Sequence, residues 1–173
     1  MEAPTSQAMV VVALGSNLGD SLRLLREAMG RLEDFAAGPL IKSSFWRTEP
    51  VDCPPGSPPF LNAVVGFAPQ PGETPESLLG HLQALEKEFG RRPKTVLNEP
   101  RPLDLDLIAF GAERRSGPEL ILPHPRAHRR RFVLAPLAEI APDLVLAGQG
   151  WPVAELLARL PAEETATRVD VDA

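Results

Sequence analysis

The sequence predicts an α+β sandwich, a sheet carrying two helices on one face. Three observations support it. Four short runs are apolar and β-branched, two longer stretches repeat apolar residues at helical spacing, and the two kinds alternate as β-α-β-β-α-β over the first 110 residues. That order is the split βαβ arrangement of a ferredoxin-like fold, with an additional strand and helices toward the C-terminus.

Residues 9–14 read as a buried first strand. Gly15-Ser16-Asn17-Leu18-Gly19-Asp20 follows as a tight strand-to-helix turn, since its spacing fits neither dinucleotide nor phosphate-loop patterns. Asp20 or Ser21 caps the next helix, where Leu22, Leu25, Met29, Leu32 and Phe35 recur at helical spacing, and Gly38-Pro39 stops it. Residues 41–47 are expected as one second strand. A proline-dense loop over 49–59 leads into a third strand over about 60–67. Beyond the turn Pro69-Gln70-Pro71-Gly72, Thr74 caps a second helix, with Pro75 at its first position and Ser77 in its first turn. An irregular loop over 90–100, rich in Arg and Lys, precedes a fourth strand over 103–110. A short strand is expected near 120–122 and a helix over about 132–140, closed by Pro142. A last helix covers about 153–160, and the final dozen residues read as a frayed tail.

With 173 residues, 43% hydrophobic and 24% charged, the chain is expected to form a single domain over 1–173. Its core spans about 10–160, with 1–8 and 162–173 flexible. A net charge of −5 argues against nucleic acid or an anionic membrane as partner. The single cysteine, Cys53, excludes an internal disulfide framework and a Cys-based zinc site. The N-terminus lacks a basic leader, and the apolar run over 9–14 is too short for a signal or a span, so a cytoplasmic location is expected. The 20 prolines cluster in connections, which implies structured loops.

Chemistry concentrates in Pro100-Arg101-Pro102-Leu103-Asp104-Leu105-Asp106-Leu107-Ile108. On a strand, Asp104 and Asp106 share a face, roughly 7 Å apart at their Cα atoms. Like charges so placed repel unless a cation lies between them. A hard divalent ion fits, because Mg²⁺ takes one or two protein carboxylates while substrate phosphates complete its shell. Arg101 stands where it would meet those phosphates. The plainer alternative is a solvated strand end. A different metal-dependent nucleotidyl transferase or nuclease would also use paired aspartates, but Asn62, between Phe60 and an apolar run, favours a flat heterocycle as acceptor. Residues 126–131 hold four arginines and His128, which raises an RNA-binding rival. The acidic whole, the absence of tyrosine and the lack of an aromatic-rich strand argue against that rival.

Five blocks in order give a more specific reading. They are Ala13-Leu14-Gly15-Ser16-Asn17-Leu18-Gly19, Ser43-Ser44-Phe45-Trp46-Arg47-Thr48, Phe60-Leu61-Asn62-Ala63, Pro100-Arg101-Pro102-Leu103-Asp104-Leu105-Asp106, and Leu122-Pro123-His124-Pro125. Together they resemble the 6-hydroxymethyl-7,8-dihydropterin pyrophosphokinase family of folate biosynthesis, over about residues 10–160. The resemblance implies that Asp104 and Asp106 hold two Mg²⁺ ions bridging the phosphates of the co-substrate ATP. It implies that Arg91 and Arg101 contact those phosphates and act with the aspartates in catalysis, and that Gln83, Glu86, His124 and Arg130 complete the ATP site. Thr48, Val51 and Asn62 would read the edge of the pterin, and Phe60 and Phe132 would sandwich its ring. Both loops would close over the substrates, and the chain would act as a monomer or weak homodimer. Some positions depart from the family pattern: Asn98-Glu99 replaces a Trp-Gly pair, Pro93 and Glu119 replace arginines, and Phe60 stands where some relatives carry tyrosine.

Overall fold

In the computed structural model, which describes residues 9–49, 56, 58–90, 102–161 and 166–169, the elements follow in chain order. They are Val10–Ser16 (β1), Ser21–Leu32 (α1), Ile41–Lys42 (β2), Phe45–Thr48 (β3), Phe60–Phe67 (β4) and Pro75–Glu88 (α2). Then come Asp104–Phe110 (β5), Arg115–Ser116 (β6), Ile121–Leu122 (β7), Arg131–Ile140 (α3), Val153–Ala158 (α4) and Ala166–Val169 (β8). β1 is buried along its whole length because β4 and β5 pair with it, antiparallel, on either side. The sheet runs β5-β1-β4-β3-β8, with β2 also on β4, while β6 and β7 form a separate hairpin.

Alternation of side chains along the strands divides the core in two. Val12, Leu14, Ala63, Val65 and Leu105 pack against Leu25 and Leu32 of α1 and Leu78 and Leu82 of α2. On the opposite face, Val11, Ala13, Val64 and Ile108 meet Val133, Leu134 and Leu137 of α3, with Val153 and Leu156 of α4. The fold is thus a mixed α/β arrangement, an antiparallel sheet between two helical layers. A register shift opposite Val11 and Val12 leaves Ile108 without a partner on β1 and turns both Ile108 and Ala109 toward the second cluster.

The caps follow the sequence. The Asp20 carboxylate accepts the Arg23 N–H at 3.2 Å, whereas Ser21 takes a hydrogen bond from the buried Ser16 hydroxyl at 2.8 Å. Thr74 and Ser77 cap α2 reciprocally, each side chain accepting the other's main-chain N–H.

Two segments differ from expectation. The second strand breaks at Ser43-Ser44, because the Ser43 hydroxyl accepts the Val64 N–H at 2.9 Å and so replaces a main-chain partner. Residues 166–169, expected in a frayed tail, form β8 and pair with β3 from Phe45↔Val169 to Thr48↔Ala166. β8 covers an edge that β3 would otherwise leave with open N–H and C=O groups. Among the described residues, no helix is long and apolar enough to cross a membrane.

Candidate functional site

The strand register puts one row of residues across the sheet. Asp104 lies opposite Gly15, Gly15 opposite Asn62, Asn62 opposite Trp46, and Trp46 opposite Arg168. Partners across a ladder share a face, so Asp104, Asn62 and Trp46 all look toward the α3 layer. Two strand spacings, about 10 Å, separate Asp104 from Asn62. Asp106 lies one pleat inward, opposite Ala13. Both aspartates are half-buried on β5, while Leu105 and Leu107 between and beyond them point into the first core cluster. The neighbours of the carboxylates on β1 are therefore a glycine and an alanine. A pair of hard oxygen donors, half-buried on one face beside small residues, suits a divalent cation such as Mg²⁺.

Glu86 approaches β5 from the other side. Its carboxylate accepts the Leu105 N–H at 2.8 Å, so α2 fixes the main chain between the two aspartates. Gln83 is exposed on α2, one turn earlier. His124 is tied to β5 by its own N–H, which donates to the Ile108 carbonyl at 2.8 Å. Its Nδ1 accepts the Arg126 N–H at 3.2 Å, which leaves the imidazole proton on Nε2. Burial, then the charges of Arg130 and Arg126, lower the His124 pKa from 6.5 to about 4 against an opposing pull from Asp104. His124, Arg130 and Asp104 therefore share one electrostatic neighbourhood. The Arg130 guanidinium lies 5.3 Å from the centroid of the Phe132 ring at the start of α3, which brings Phe132 to the same end of the sheet.

Asn62 is 5% exposed and donates from Nδ2 to the Thr48 hydroxyl at 2.7 Å. That bond fixes the amide, leaving Oδ1 as an acceptor. Phe60, two residues before Asn62, shares its face and is half-buried, as is Phe132. The structure thus brings Asp104, Asp106, His124 and Arg130 to one part of the face, and Thr48, Phe60 and Asn62 to the adjoining part. Val51, Arg91 and Arg101 lie outside the described residues, as do residues 50–55, 57 and 91–100 of the two loops.

Sequence reasoning passed over two contributors. A methyl group on Gly15 would come 3.0 Å from Asn62 Oδ1, so glycine lets the amide sit close over β1; a glycine near the end of an apolar strand was its signal. Asn17, 2% exposed, donates to the Pro58 carbonyl at 3.3 Å and pins the end of the proline-dense loop beside β4. Trp46 donates its indole N–H to Glu139 on α3 at 2.6 Å.

A model of the family described as 7,8-dihydro-6-hydroxymethylpterin-pyrophosphokinase matches residues 11–142. The chain is 40% identical over 141 residues to the 2-amino-4-hydroxy-6-hydroxymethyldihydropteridine pyrophosphokinase of Porphyromonas gingivalis, covering 79% of this chain and 93% of that one. It is 39% identical over 155 residues to the protein of the same name from Pseudomonas aeruginosa, covering 89% and 93%. The chain spans only 20–26% of the length of longer curated relatives, the folate synthesis bifunctional proteins of Arabidopsis thaliana and the folic acid synthesis protein of Pneumocystis carinii. Among solved structures, wild-type HPPK-DHPS of Plasmodium falciparum with pteroate superposes with a TM-score of 0.67 at 12% identity, over 87% of this chain and 44% of that one. At that identity the likeness concerns the fold.

Proposed function

The chain belongs to the 7,8-dihydro-6-hydroxymethylpterin-pyrophosphokinase family, and from that premise we propose that it transfers pyrophosphate from ATP to 6-hydroxymethyl-7,8-dihydropterin in folate biosynthesis. The pterin hydroxymethyl oxygen attacks the β-phosphorus of ATP, the bond from that phosphorus to the α,β-bridging oxygen breaks, and AMP leaves. The alcohol proton is released, and the product is the pterin diphosphate. One observation carries the reading: paired carboxylates and a fixed, buried amide face the same way across a single central strand.

Phosphoryl chemistry of this kind asks a protein mainly for alignment and charge neutralisation. Asp104 and Asp106 would hold two Mg²⁺ ions, which when bound supply charge neutralisation on the triphosphate. The Leu105 N–H bond to Glu86 keeps the two carboxylates in register with each other. Neutral His124 would donate from Nε2 to a phosphate oxygen. His124 enters this reading as a phosphate contact, held neutral in the free chain by burial and by the charges of Arg130 and Arg126. Arg130 adds positive charge beside it. Arg91 and Arg101 belong to the same reading as phosphate contacts, and Gln83 as a nucleotide contact. At the other end, Asn62 and Thr48, with the main chain at Val51, would read the pterin edge, and Phe60 and Phe132 would stack on its two faces.

We read the core as ferredoxin-like, supported by the order β5-β1-β4-β3 with α1 and α2 on one face. A single domain over 1–173 is supported by one sheet that serves both core clusters. A cytoplasmic monomer or weak homodimer completes the reading, and the net charge of −5 supports the absence of nucleic-acid and anionic-membrane partners.

The test is the product. ATP should yield AMP only when the reduced hydroxymethylpterin is present, and chelation of divalent cations should stop the reaction. Asp104→Ala or Asp106→Ala should lower AMP formation by about 100- to 1000-fold with the fold intact. Release of pyrophosphate on adding nucleic acid, or near-normal turnover in both aspartate variants, would discard the reading.

A further inference from the structure

Glu139 lies near the end of α3, seven residues after Phe132, and the strand beside the candidate ring slot holds it through several donors. Its carboxylate accepts the Ser44 N–H at 3.1 Å, the Ser44 hydroxyl at 2.8 Å and the Trp46 indole N–H at 2.6 Å. Arg168 Nη1, from β8, stands 3.5 Å from the second oxygen. The side chain is 22% exposed, so these partners replace much of its water. In an α-helix seven residues make nearly two full turns, so Phe132 and Glu139 lie on almost the same side, about 10 Å apart along the axis. Glu139 is thus the far end of a lever whose near end carries Phe132.

The helix between them is incomplete. Pro136 is buried within α3 and has no N–H to offer the Phe132 carbonyl. The first turn of α3 therefore has one internal bond fewer and depends more on what holds the helix against the sheet. The strand that receives Glu139 is also the one that orders the amide. Trp46 lies opposite Asn62, and Thr48 accepts the hydrogen bond from Asn62. One carboxylate thereby joins α3, β3 and β8 behind the slot.

We propose that Glu139 is a positioning residue that sets the spacing between Phe132 on the helix and Phe60 and Asn62 on the sheet, and through it the affinity for a flat heterocyclic ring. The proposal rests on the pterin reading above. Glu139 touches neither reacting group, and the strand it holds carries Thr48 and lies opposite Asn62, so its influence falls chiefly on the ring.

The test compares Glu139→Ala, Glu139→Gln and Trp46→Phe with the unmodified chain. Pterin binding is measured by calorimetry with a non-hydrolysable ATP analogue and magnesium, and AMP formation with each substrate varied in turn. Glu139→Ala and Trp46→Phe should raise the Kd and KM for pterin by about tenfold while the KM for ATP and kcat move less than about twofold. Glu139→Gln keeps an acceptor for Trp46 and should stay within about threefold of the unmodified chain on every constant. Equal rises in both KM values, or an unchanged pterin Kd in a folded Glu139→Ala protein, would overturn the role given to Glu139. If Glu139→Ala does not fold, Trp46→Phe decides. An unmodified chain that neither binds pterin nor forms AMP overturns the pterin reading together with this one, whereas an active chain with indifferent variants overturns this one alone.

Discussion

Gly15 separates the carboxylate part of the site from the amide part by the width of one strand. Its conformation is ordinary extended backbone; what favours glycine is the Asn62 oxygen 3.0 Å from where a Cβ would stand. Gly15→Ala should therefore fold, but push Asn62 by a few tenths of an ångström against its bond to Thr48. Pterin affinity should fall by about 1 kcal/mol or more, with ATP affinity unchanged, as separate titrations would read. His124 makes a second prediction at this scale. Its pKa is lower in the folded chain than its ordinary 6.5, so between pH 6.5 and about 4 the unfolded chain takes up a proton that the folded chain declines. Stability should fall as pH falls through that window, and His124→Gln should flatten that part of a denaturant-midpoint profile in metal-free protein. A profile identical to that of the unmodified chain would show that the imidazole is not held neutral.

Elements divide into those whose reasons are local and those whose reasons are distant. The cap of α2 is local: Thr74, Pro75 and Ser77 sit within four residues, and the sequence alone reveals them. Thr74→Ala should cost about 1 kcal/mol of stability, and because the cap lies at the opposite end of α2 from Glu86, the KM values should hold. Leu103, Leu105 and Leu107 likewise announce β5, and their alternation with Asp104 and Asp106 reveals which face the carboxylates take. Distant reasons leave fainter marks. Ala166-Thr167-Arg168-Val169 is short and half polar, and it becomes a strand because β3 offers an edge more than a hundred residues earlier. The break at Ser43 depends on a side chain capturing the Val64 N–H across the sheet. Glu139 reads as one more polar residue on a helix; only the indole of Trp46, which requires an acceptor, hints at a partner. The site is legible where its chemistry lies close together in sequence, as in Asp104 and Asp106, and obscure where it is assembled from separate strands.

At the scale of the whole molecule, the sheet is a partition with different work on its two sides. Leu82 on α2 and Leu134 on α3 are both almost fully buried, one in each core cluster. Truncating either to alanine removes similar apolar volume and should cost about 2–5 kcal/mol, a large share of the stability a domain of this size possesses. Their functional consequences should differ. Leu82 packs behind the sheet, where loss of volume lowers the unfolding temperature without reaching the row from Asp104 to Trp46. Leu134 lies two residues beyond Phe132, under the helix that carries one wall of the ring slot, and a cavity there lets α3 settle toward β4. Assayed well below their unfolding transitions, Leu82→Ala should keep both KM values within about twofold, whereas Leu134→Ala should raise the pterin KM several-fold and leave the ATP KM alone. Equal effects from both variants would mean that the two faces share the mechanical task and that the site is held by the sheet itself.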